Sequence, residues 1–344
     1  MTLKDIAQEA GVSVSTVSRV INGKGKSVAS KEVQDRIWSI VRRTNYVPNR
    51  SAQELRRNIP NSEDPLPETI ECLLARMPFL EKDYFFSEIA RNIETELHSN
   101  NYILQYSFTS SGNQLRNTAQ ELKQNTAKGL IILGRCNQNI LATLKQHFRK
   151  ICYVGLNYLN ANYDQVICDG MEASKAAVNY LIELGHSKIG YIGETRNEIR
   201  YIGYRCAMIE HNLPTLTQYV ADFTLSYKGG YDGAKRLIEC GADITAVFCA
   251  NDTTAIGAMS AFQEAGLKIP EDISVIGVDD IELSRYISPA LTTISIPVAE
   301  MGKVASKIMI DRINGGHKIP LKVLLPFSLE VRESTAPLPL HKQS

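Results

Sequence analysis

The chain has 344 residues, of which 44% are hydrophobic, and its formal net charge is only +1. This length and apolar content allow two or three domains with substantial cores, and the small net charge excludes a uniformly basic polyanion binder. The charge is divided unevenly, because residues 1–57 carry 11 Lys and Arg against 5 Asp and Glu, and the rest carries 27 against 32. A small basic module before a larger, mildly acidic body indicates a nucleic-acid-binding head.

The sequence lacks the motifs that are typical of several functional classes. The seven cysteines form no CxxC pair, which favours a reducing compartment. The N-terminal stretch MTLKDIAQEA lacks the apolar core of a signal peptide, and no apolar run reaches membrane-spanning length. The six histidines form no HExxH motif, and there is no Walker loop. We therefore expect a cytoplasmic protein that is not an enzyme, with no catalytic residue, cofactor, metal site or membrane partner.

Residues 1–57 open with a helix-turn-helix pattern. A first amphipathic helix ends at Gly11, and Ser13 is a good N-cap for a second helix over residues 14–22. Two short helices joined by a three-residue turn that contains Gly are typical of this DNA-binding motif. A third helix, at about residues 30–44, is expected to close a small core with four apolar side chains. These are Val33, Ile37, Ile40 and Val41.

The outward face of the second helix suits the major groove of DNA. Hydroxyls can bind base edges or phosphates, a guanidinium can bind guanine or phosphate, and an apolar group can contact a thymine methyl. The residues predicted to contact DNA here are Val14, Ser15, Thr16 and Arg19. At this point the alternative is a small helical domain whose polar outer face is simply solvated.

A very short helical segment follows at about residues 49–57, after Pro48. A helix of this length is marginal in water, and Leu55 would be exposed on it. These features favour a hinge helix that forms on DNA and inserts an apolar wedge into the minor groove. A plain linker is the alternative, and residues 58–68 are predicted to be one. The DNA-contacting residues expected in the hinge are Asn49, Arg50, Ala52 and Leu55.

From residue 69 to residue 334, apolar strands alternate with amphipathic helices. The alternation predicts parallel sheets flanked by helices, arranged as two doubly wound lobes with a ligand cleft between them. The expected N-lobe comprises about 69–165 and 297–326, the C-lobe about 166–296 and 327–334, and the tail 335–344. Predicted strands lie at 70–74, 102–106, 129–133, 151–154, 188–192, 246–249, 274–278, 323–325 and 328–331. Predicted helices lie at 84–99, 114–124, 171–184, 201–211, 229–240, 253–265 and 299–314.

Polar residues follow several of these strands, and parallel sheets bind ligands beyond the carboxyl ends of their strands. Arg135 follows one strand, and the pairs Asn251-Asp252 and Asp279-Asp280 follow two others. The first member of each pair is expected to face the cleft, and the second to cap the following helix. His186, at a helix-to-strand turn, is expected to make a structural hydrogen bond.

The runs LKDIAQEAGVSVSTVSRVING and NYVPNRSAQEL resemble the head of the lactose-repressor/galactose-repressor (LacI/GalR) family, and they occur at the family's separation. The resemblance implies a helix-turn-helix head with a minor-groove hinge helix, and it covers the DNA-contacting residues given above. Leu55 matches the family's intercalating leucine, with Ala52 as the small residue beside it. The body resembles the family's periplasmic-binding-protein-type core, which implies an α/β fold of two doubly wound lobes.

The resemblance also implies a ligand set for the cleft. Arg200 matches the arginine of an Arg-x-x-Gly motif, Phe223 an aromatic that stacks on the ligand ring, and Phe85 and Phe86 aromatics of the N-lobe wall. Asn251 and Asp279 match hydroxyl-binding positions in the family's ANDxxAxG and GxDD motifs. An aromatic face with carboxylate, amide and guanidinium groups suits a sugar. The full expected set is Phe85, Phe86, Arg135, Asn157, Arg200, Phe223, Asn251 and Asp279.

One position departs from the family pattern. After the strand at 151–154, many members carry an Asp that faces the ligand, and this chain has Gly155. Asn157 is two residues further on and is the candidate substitute. The charge-poor run that follows Gly155 resembles members that control β-galactosidase operons.

The sequence therefore predicts a DNA-binding transcriptional repressor of a carbohydrate-utilisation operon. Two heads of a homodimer would read a near-palindromic operator, and a small sugar, with a galactoside favoured, would release them. A purine also binds through an aromatic and an arginine, so the ligand class stays open, as does the choice between inducer and corepressor. An enzyme and a two-lobed transport receptor are the competing interpretations. The receptor would need a signal peptide and has no use for a basic head.

Overall fold

The computed structural model describes residues 3–21, 30, 32–34, 36, 37, 40, 67–75, 83–109, 127–136 and 138–338. The chain divides into two compact units, Met1–Leu66 and Pro67–Ser344, and each is described by itself. Within the described ranges, no helix is long and apolar enough to cross a membrane.

The head begins with two helices, α1 (Leu3–Ala10) and α2 (Val14–Ile21). Gly11, with φ of +65°, makes the turn that ends α1, a conformation that glycine adopts without steric cost. Ser13 caps α2 as predicted, because its hydroxyl accepts a hydrogen bond from the Thr16 N–H at 3.1 Å. Ile6 and Val17 are fully buried between the helices.

The expected third helix of the head is helical at every described position after Ser30, namely 32–34, 36, 37 and 40. Ile37 and Ile40 are buried and Val33 packs against them, as the sequence predicts. The Arg36 guanidinium donates to the Ala10 carbonyl at 3.3 Å and ties this helix to the end of α1. Val41, the hinge segment 49–57 and most of the linker 58–68 lie outside the described residues.

The larger unit is built from strands and helices that alternate along the chain. Its strands are β1 (Glu68–Ala75), β2 (Tyr102–Thr109), β3 (Leu130–Leu133), β4 (Ile151–Gly155), β5 (Asp164–Ile167), β6 (Ile189–Gly193), β7 (Val220–Asp222), β8 (Ala246–Cys249), β9 (Ser274–Asp279), β10 (Thr292–Ser295), β11 (Lys322–Leu324) and β12 (Ser328–Glu330). Its helices are α3 (Tyr84–Ser99), α4 (Gln138–His147), α5 (Gly170–Glu183), α6 (Ile199–Glu210), α7 (Tyr227–Glu239), α8 (Asp252–Glu264) and α9 (Val298–Ile313). The helix expected at 114–124 lies outside the described residues.

The strands form two six-stranded sheets, which confirms the predicted fold class. The N-lobe sheet has the order β11-β5-β4-β3-β1-β2 and is parallel throughout. The C-lobe sheet has the order β12-β10-β9-β8-β6-β7 and is parallel except for the antiparallel pair β10–β12. The inner strands β3, β4, β6, β8 and β9 are buried along their whole length, as expected for sheets covered on both faces.

Three connections join the lobes, after β5, after β10 and after β11. Helix α9 returns to the N-lobe, where Gly302 allows a close approach: a Cβ on it would lie 2.8 Å from the Ile89 carbonyl oxygen of α3. The boundary expected at residue 166 is two residues early, because Val166 and Ile167 still pair with β4 of the N-lobe sheet.

The predicted tail also begins too early. Residues 335–338 are packed against the C-lobe, where Leu338 is buried and donates its backbone N–H to the Leu184 carbonyl at 2.8 Å. His186 makes the expected structural contacts, 2.9 Å from the Thr245 hydroxyl and 3.0 Å from the Ala336 carbonyl. Burial lowers the pKa of His186, which keeps the ring neutral between these two groups.

Candidate functional site

A cavity of about 270 Å³ lies in the larger unit and is lined by residues of both lobes. Most of its wall is formed by segments that follow the carboxyl ends of the strands, where parallel sheets bind ligands. Seven of the eight residues predicted for the ligand site line it. They are Phe85, Phe86, Arg135, Asn157, Arg200, Asn251 and Asp279.

Phe223 is the exception, since it does not line the cavity, and its stacking on a ligand ring stays a prediction. The residue follows β7, and its backbone N–H donates to the Gly193 carbonyl at 3.1 Å. Its ring packs against the C-lobe core, 3.4 Å from the position that a Cβ on Gly233 of α7 would occupy. The neighbouring Thr224 and Leu225 line the cavity instead.

Arg200 lies in the first turn of α6 and is held by Glu198, the N-cap of that helix. One carboxylate oxygen of Glu198, Oε1, accepts from the Arg200 backbone N–H at 3.2 Å and from Nε at 2.7 Å. Burial favours the neutral form of Glu198, but Arg200 and Arg135 outweigh it and lower the pKa of that carboxyl. Burial also opposes the charge of Arg200, yet Glu198 and Asp279 keep its pKa above the ordinary value. Both groups are therefore charged and fixed in position.

Asp279 ends β9 and is 6% exposed in the cavity wall. Its φ of +122° is rare for a residue with a side chain, and such backbone strain is concentrated at functional sites. Its Oδ1 atom is buried and accepts no hydrogen bond from any described residue. Burial raises the pKa of Asp279 well above its usual range, although Arg200 opposes the shift. Asp279 thus offers an uncommitted carboxyl group beside a fixed guanidinium.

The roles expected for Asn251 and Asp252 require a correction. Asn251 lines the cavity and also caps α8, where its side-chain oxygen accepts from the Thr254 N–H at 2.9 Å. The N-cap precedes the first helical residue, and α8 begins at Asp252, so Asp252 is not the cap. Asp252 is fully buried instead and accepts from the Ile281 N–H at 3.0 Å and the Thr293 hydroxyl at 2.5 Å. Burial raises the pKa of Asp252 to about 8.

Asp280 is not a helix cap either. Its carboxylate accepts from Arg332, from Arg285 Nη2 at 2.8 Å and from the Ser295 hydroxyl at 3.0 Å. Burial would raise the pKa of Asp280, but the hydrogen bonds from Arg285 and Arg332 lower it. Asp280 is a structural ion-pair centre of the C-lobe.

Arg135 follows β3 of the N-lobe and spans the cleft to the segment before α6. Its Nη1 donates to the Asn197 carbonyl at 2.6 Å and lies 3.2 Å from Glu198 Oε2, while its Nη2 binds the Glu194 carboxylate. The guanidinium that was predicted to bind the ligand is therefore engaged by the opposite lobe. The sequence did not identify Glu194 or Glu198, although both line the cavity.

The N-lobe wall is aromatic at the start of α3. Asp83 caps this helix by accepting from the Phe86 N–H at 3.1 Å, and burial raises the pKa of Asp83. The rings of Phe85 and Phe86 meet edge to face with centroids 4.9 Å apart. Asn157 is half-buried in the same wall, and its role as the substitute for the missing acidic residue stays a prediction.

Carboxyl groups outnumber guanidiniums in the described wall of the cavity, although burial raises the pKa of two of them, Asp83 and Asp279. Its described wall contains four carboxyl groups, from Asp83, Glu194, Glu198 and Asp279, against the guanidiniums of Arg135 and Arg200. In the part of the chain that the structure describes, no cluster of His, Cys, Asp or Glu could hold a metal ion.

The helix-turn-helix unit carries the other candidate site. Ser15 and Arg19 of α2 are exposed, as a DNA-reading face requires, and Thr16 is half-exposed with its hydroxyl 2.8 Å from that of Ser13. Val14 is also half-buried and packs against the head core, so only part of it faces outward. Asn49, Arg50, Ala52 and Leu55 lie outside the described residues.

Comparisons with known proteins match the chain over nearly its whole length, 97% of it for one relative. The model of the lacI family of bacterial regulatory proteins matches residues 2–49, and that of a periplasmic binding protein-like domain matches residues 178–335. The ribose operon repressor of Haemophilus influenzae is 32% identical over 340 residues, 97% of this chain and 98% of its own. The HTH-type transcriptional repressor PurR of the same species is 34% identical over 324 residues, 92% of each chain. A LacI family transcriptional regulator from Enterococcus faecium, solved with bound ribose, is 29% identical, with a TM-score of 0.71 over 79% of this chain and 100% of its own.

Proposed function

Because the chain belongs to the lacI family of bacterial regulatory proteins and is a transcriptional repressor, we propose that an uncharged, single-ring sugar bound in the core cavity controls its affinity for operator DNA. The presence of Asp279 and Arg200 in the same cavity wall carries this proposal. A sugar presents neighbouring hydroxyls that both donate and accept, which suits a carboxyl group with a free oxygen beside a fixed guanidinium.

The size and charge of the cavity narrow the ligand class. Its volume of about 270 Å³ is near the lower end of small-molecule pockets, which run from roughly 300 to 1,000 Å³, and favours one ring over two. Both guanidiniums of the described wall are already paired with carboxylates, Arg200 with Glu198 and Arg135 with Glu194 and Glu198, and this disfavours a phosphorylated ligand.

A purine base is the second candidate, since a purine also binds through an aromatic residue and an arginine, and the cavity wall contains both. A flat purine is best held between rings on both of its faces. All three aromatic residues in the described wall, Phe85, Phe86 and Tyr153, belong to the N-lobe, and Phe223 does not line the cavity. This one-sided arrangement favours a sugar. D-ribose is the first sugar to test, and a galactoside, which the sequence favoured, is the second.

On the DNA side, we propose that a homodimer acts in the cytoplasm on a near-palindromic operator, with α2 of each head in the major groove. Ser15, Thr16 and Arg19 would contact base edges and phosphates, with Val14 at the rim. The segment 49–57 would act as the hinge helix, with Leu55 as the minor-groove wedge beside Ala52, and with Asn49 and Arg50 on the backbone. A ligand that binds one state of the lobes more tightly shifts the dimer toward that state. We propose that this ligand is an inducer.

Operator binding by the full-length protein tests the proposal. A fragment selected from the parent genome is titrated with protein, alone and with D-ribose, methyl β-D-galactoside or the bases adenine, guanine and hypoxanthine. A fall in DNA affinity with one of the sugars and with no base supports the proposal. Release by a base alone would reject the sugar, and tighter binding with a sugar would reject the inducer role.

A further inference from the structure

The residue that takes the space beside Gly155 is Tyr153. The two residues lie on the same face of β4, since side chains alternate along a strand. The Tyr153 ring is fully buried and extends along the strand over Gly155. A Cβ on Gly155 would lie 2.5 Å from the Tyr153 hydroxyl oxygen and 2.9 Å from Cζ, so any side chain there would require the tyrosine ring to move. Glycine at this position therefore makes room for the tyrosine.

The C-lobe contains the same arrangement at Tyr191 and Gly193 of β6. A Cβ on Gly193 would lie 2.8 Å from the Tyr191 hydroxyl oxygen. That hydroxyl donates to the Glu194 carbonyl at 2.7 Å, so its hydrogen-bonding capacity is used within the protein. The Tyr153 hydroxyl is equally buried, but it makes no hydrogen bond of good geometry with any described residue, and Asn157 is the polar residue near enough to interact with it.

A buried hydroxyl without a partner is unfavourable, and such groups in native proteins usually have a functional reason. Tyr153 lines the cavity together with Arg200 and Asp279, and its hydroxyl is next to Asn157. Building on the function proposed above, we propose that the Tyr153 hydroxyl is a specificity-determining group that hydrogen-bonds a polar group of the ligand, which is a hydroxyl if the ligand is a sugar. Gly155 leaves the space for the Tyr153 hydroxyl. When the ligand binds, the Asn157 amide moves aside or hydrogen-bonds both the tyrosine hydroxyl and the ligand.

The test compares Tyr153→Phe with the matched control Tyr191→Phe in the full-length protein. Without sugar, Tyr153→Phe should melt at or above the temperature of the parent, because it removes an unpaired hydroxyl. Tyr191→Phe should melt lower, because the Glu194 carbonyl loses its donor. If Tyr153→Phe lowers the melting temperature as much as Tyr191→Phe does, the hydroxyl has a structural partner and the proposal is wrong. This arm needs no ligand.

Calorimetric titration with D-ribose, methyl β-D-galactoside and the purine bases gives the second arm. For whichever compound binds the parent, Tyr153→Phe should weaken binding by about tenfold, and Tyr191→Phe should change it less than about twofold. Equal affinity of Tyr153→Phe and the parent would overturn the proposal. Binding of a base alone would instead reject the sugar, and the same comparison made with that base would still decide the role of Tyr153.

A third experiment tests whether the Tyr153 side chain is the reason for glycine at position 155. Gly155→Ala should lower the melting temperature of the parent strongly and that of a Tyr153→Leu background much less, because the shorter side chain frees the space over residue 155. Equal losses in the two backgrounds would show that Tyr153 does not explain the glycine.

Discussion

Replacing Arg135 by Met tests whether this residue holds the two lobes together rather than binding the ligand. Methionine keeps most of the aliphatic stem and removes the guanidinium. The change breaks the hydrogen bond to Asn197 and the ion pairs with Glu194 and Glu198, all of which cross the cleft. The arrangement with the lobes in contact should therefore lose stability relative to an open one.

The stability that Arg135→Met should lose depends on how exposed Arg135 and its partners are to solvent. A hydrogen bond to a charged group contributes about 1.5–3 kcal/mol. The side chains of Arg135 and Glu194 are 22% and 25% exposed, so solvent screens part of that interaction, and Glu198 keeps Arg200 as a partner. A net loss of about 2 kcal/mol shifts the equilibrium between closed and open lobes roughly 30-fold toward the open form. Ligand affinity falls by up to the same factor if only the closed form binds.

The assay combines hydrogen exchange with ligand titration and uses Arg196→Met as the control, because Arg196 is exposed and contributes only its carbonyl to the contact with Arg135. In Arg135→Met, the backbone amides of 194–198 should exchange faster without ligand, and every ligand should lose affinity by a similar factor. Unchanged exchange together with a loss confined to one ligand would refute the lobe-bridging role and make Arg135 a direct ligand contact.

Three further changes test other parts of the structure. Asp279→Ala should weaken sugar binding by about 1–3 kcal/mol in calorimetry and leave operator binding without sugar intact; unaltered sugar affinity would remove Asp279 from the site. The raised pKa of Asp252, about 8, stabilises the fold at low pH, and this contribution is lost as the pH rises through 8. The melting temperature should therefore fall between pH 6 and 9, and less steeply in Asp252→Asn; parallel curves would contradict the assignment. Arg19→Met should weaken operator binding by about 1–3 kcal/mol if Arg19 reads a base, whereas an equal loss on all DNA would make it a phosphate contact.

The sequence predicted the lobes and most of the cavity wall because both depend on local rules. Long apolar runs become buried parallel strands, and the residues that follow them meet at one edge of the sheet. These rules do not identify short strands that contain polar residues. Asp164 and Gln165 of β5 are buried, and their polar groups are satisfied only by distant or irregular partners, such as the Arg312 guanidinium and the Leu159 backbone.

Side-chain direction and long-range pairing could not be obtained from the pattern. Phe223 follows a strand as a stacking residue would, but its ring packs against the C-lobe core. Glu198 was missed because glutamate is not among the residues preferred as N-caps, and the helix was predicted to begin at Tyr201 instead of Ile199. A glutamate two residues before a suspected ligand arginine is a signal that could have been used.

The contacts of Glu198 also determine the free energy that is required to separate the two lobes. Its Oε1 atom is bound to Arg200 of its own lobe, and its Oε2 atom is paired with Arg135 of the other. Stripping a buried charge of its partner typically costs about 3–5 kcal/mol. Here the carboxylate that remains after Arg135 leaves would still be neutralised by Arg200 and by the N-terminus of α6. Glu194 and Arg135, already partly exposed, would regain water. Opening therefore costs less than breaking an isolated buried pair, and the binding energy of a small ligand is large enough to decide between the two arrangements.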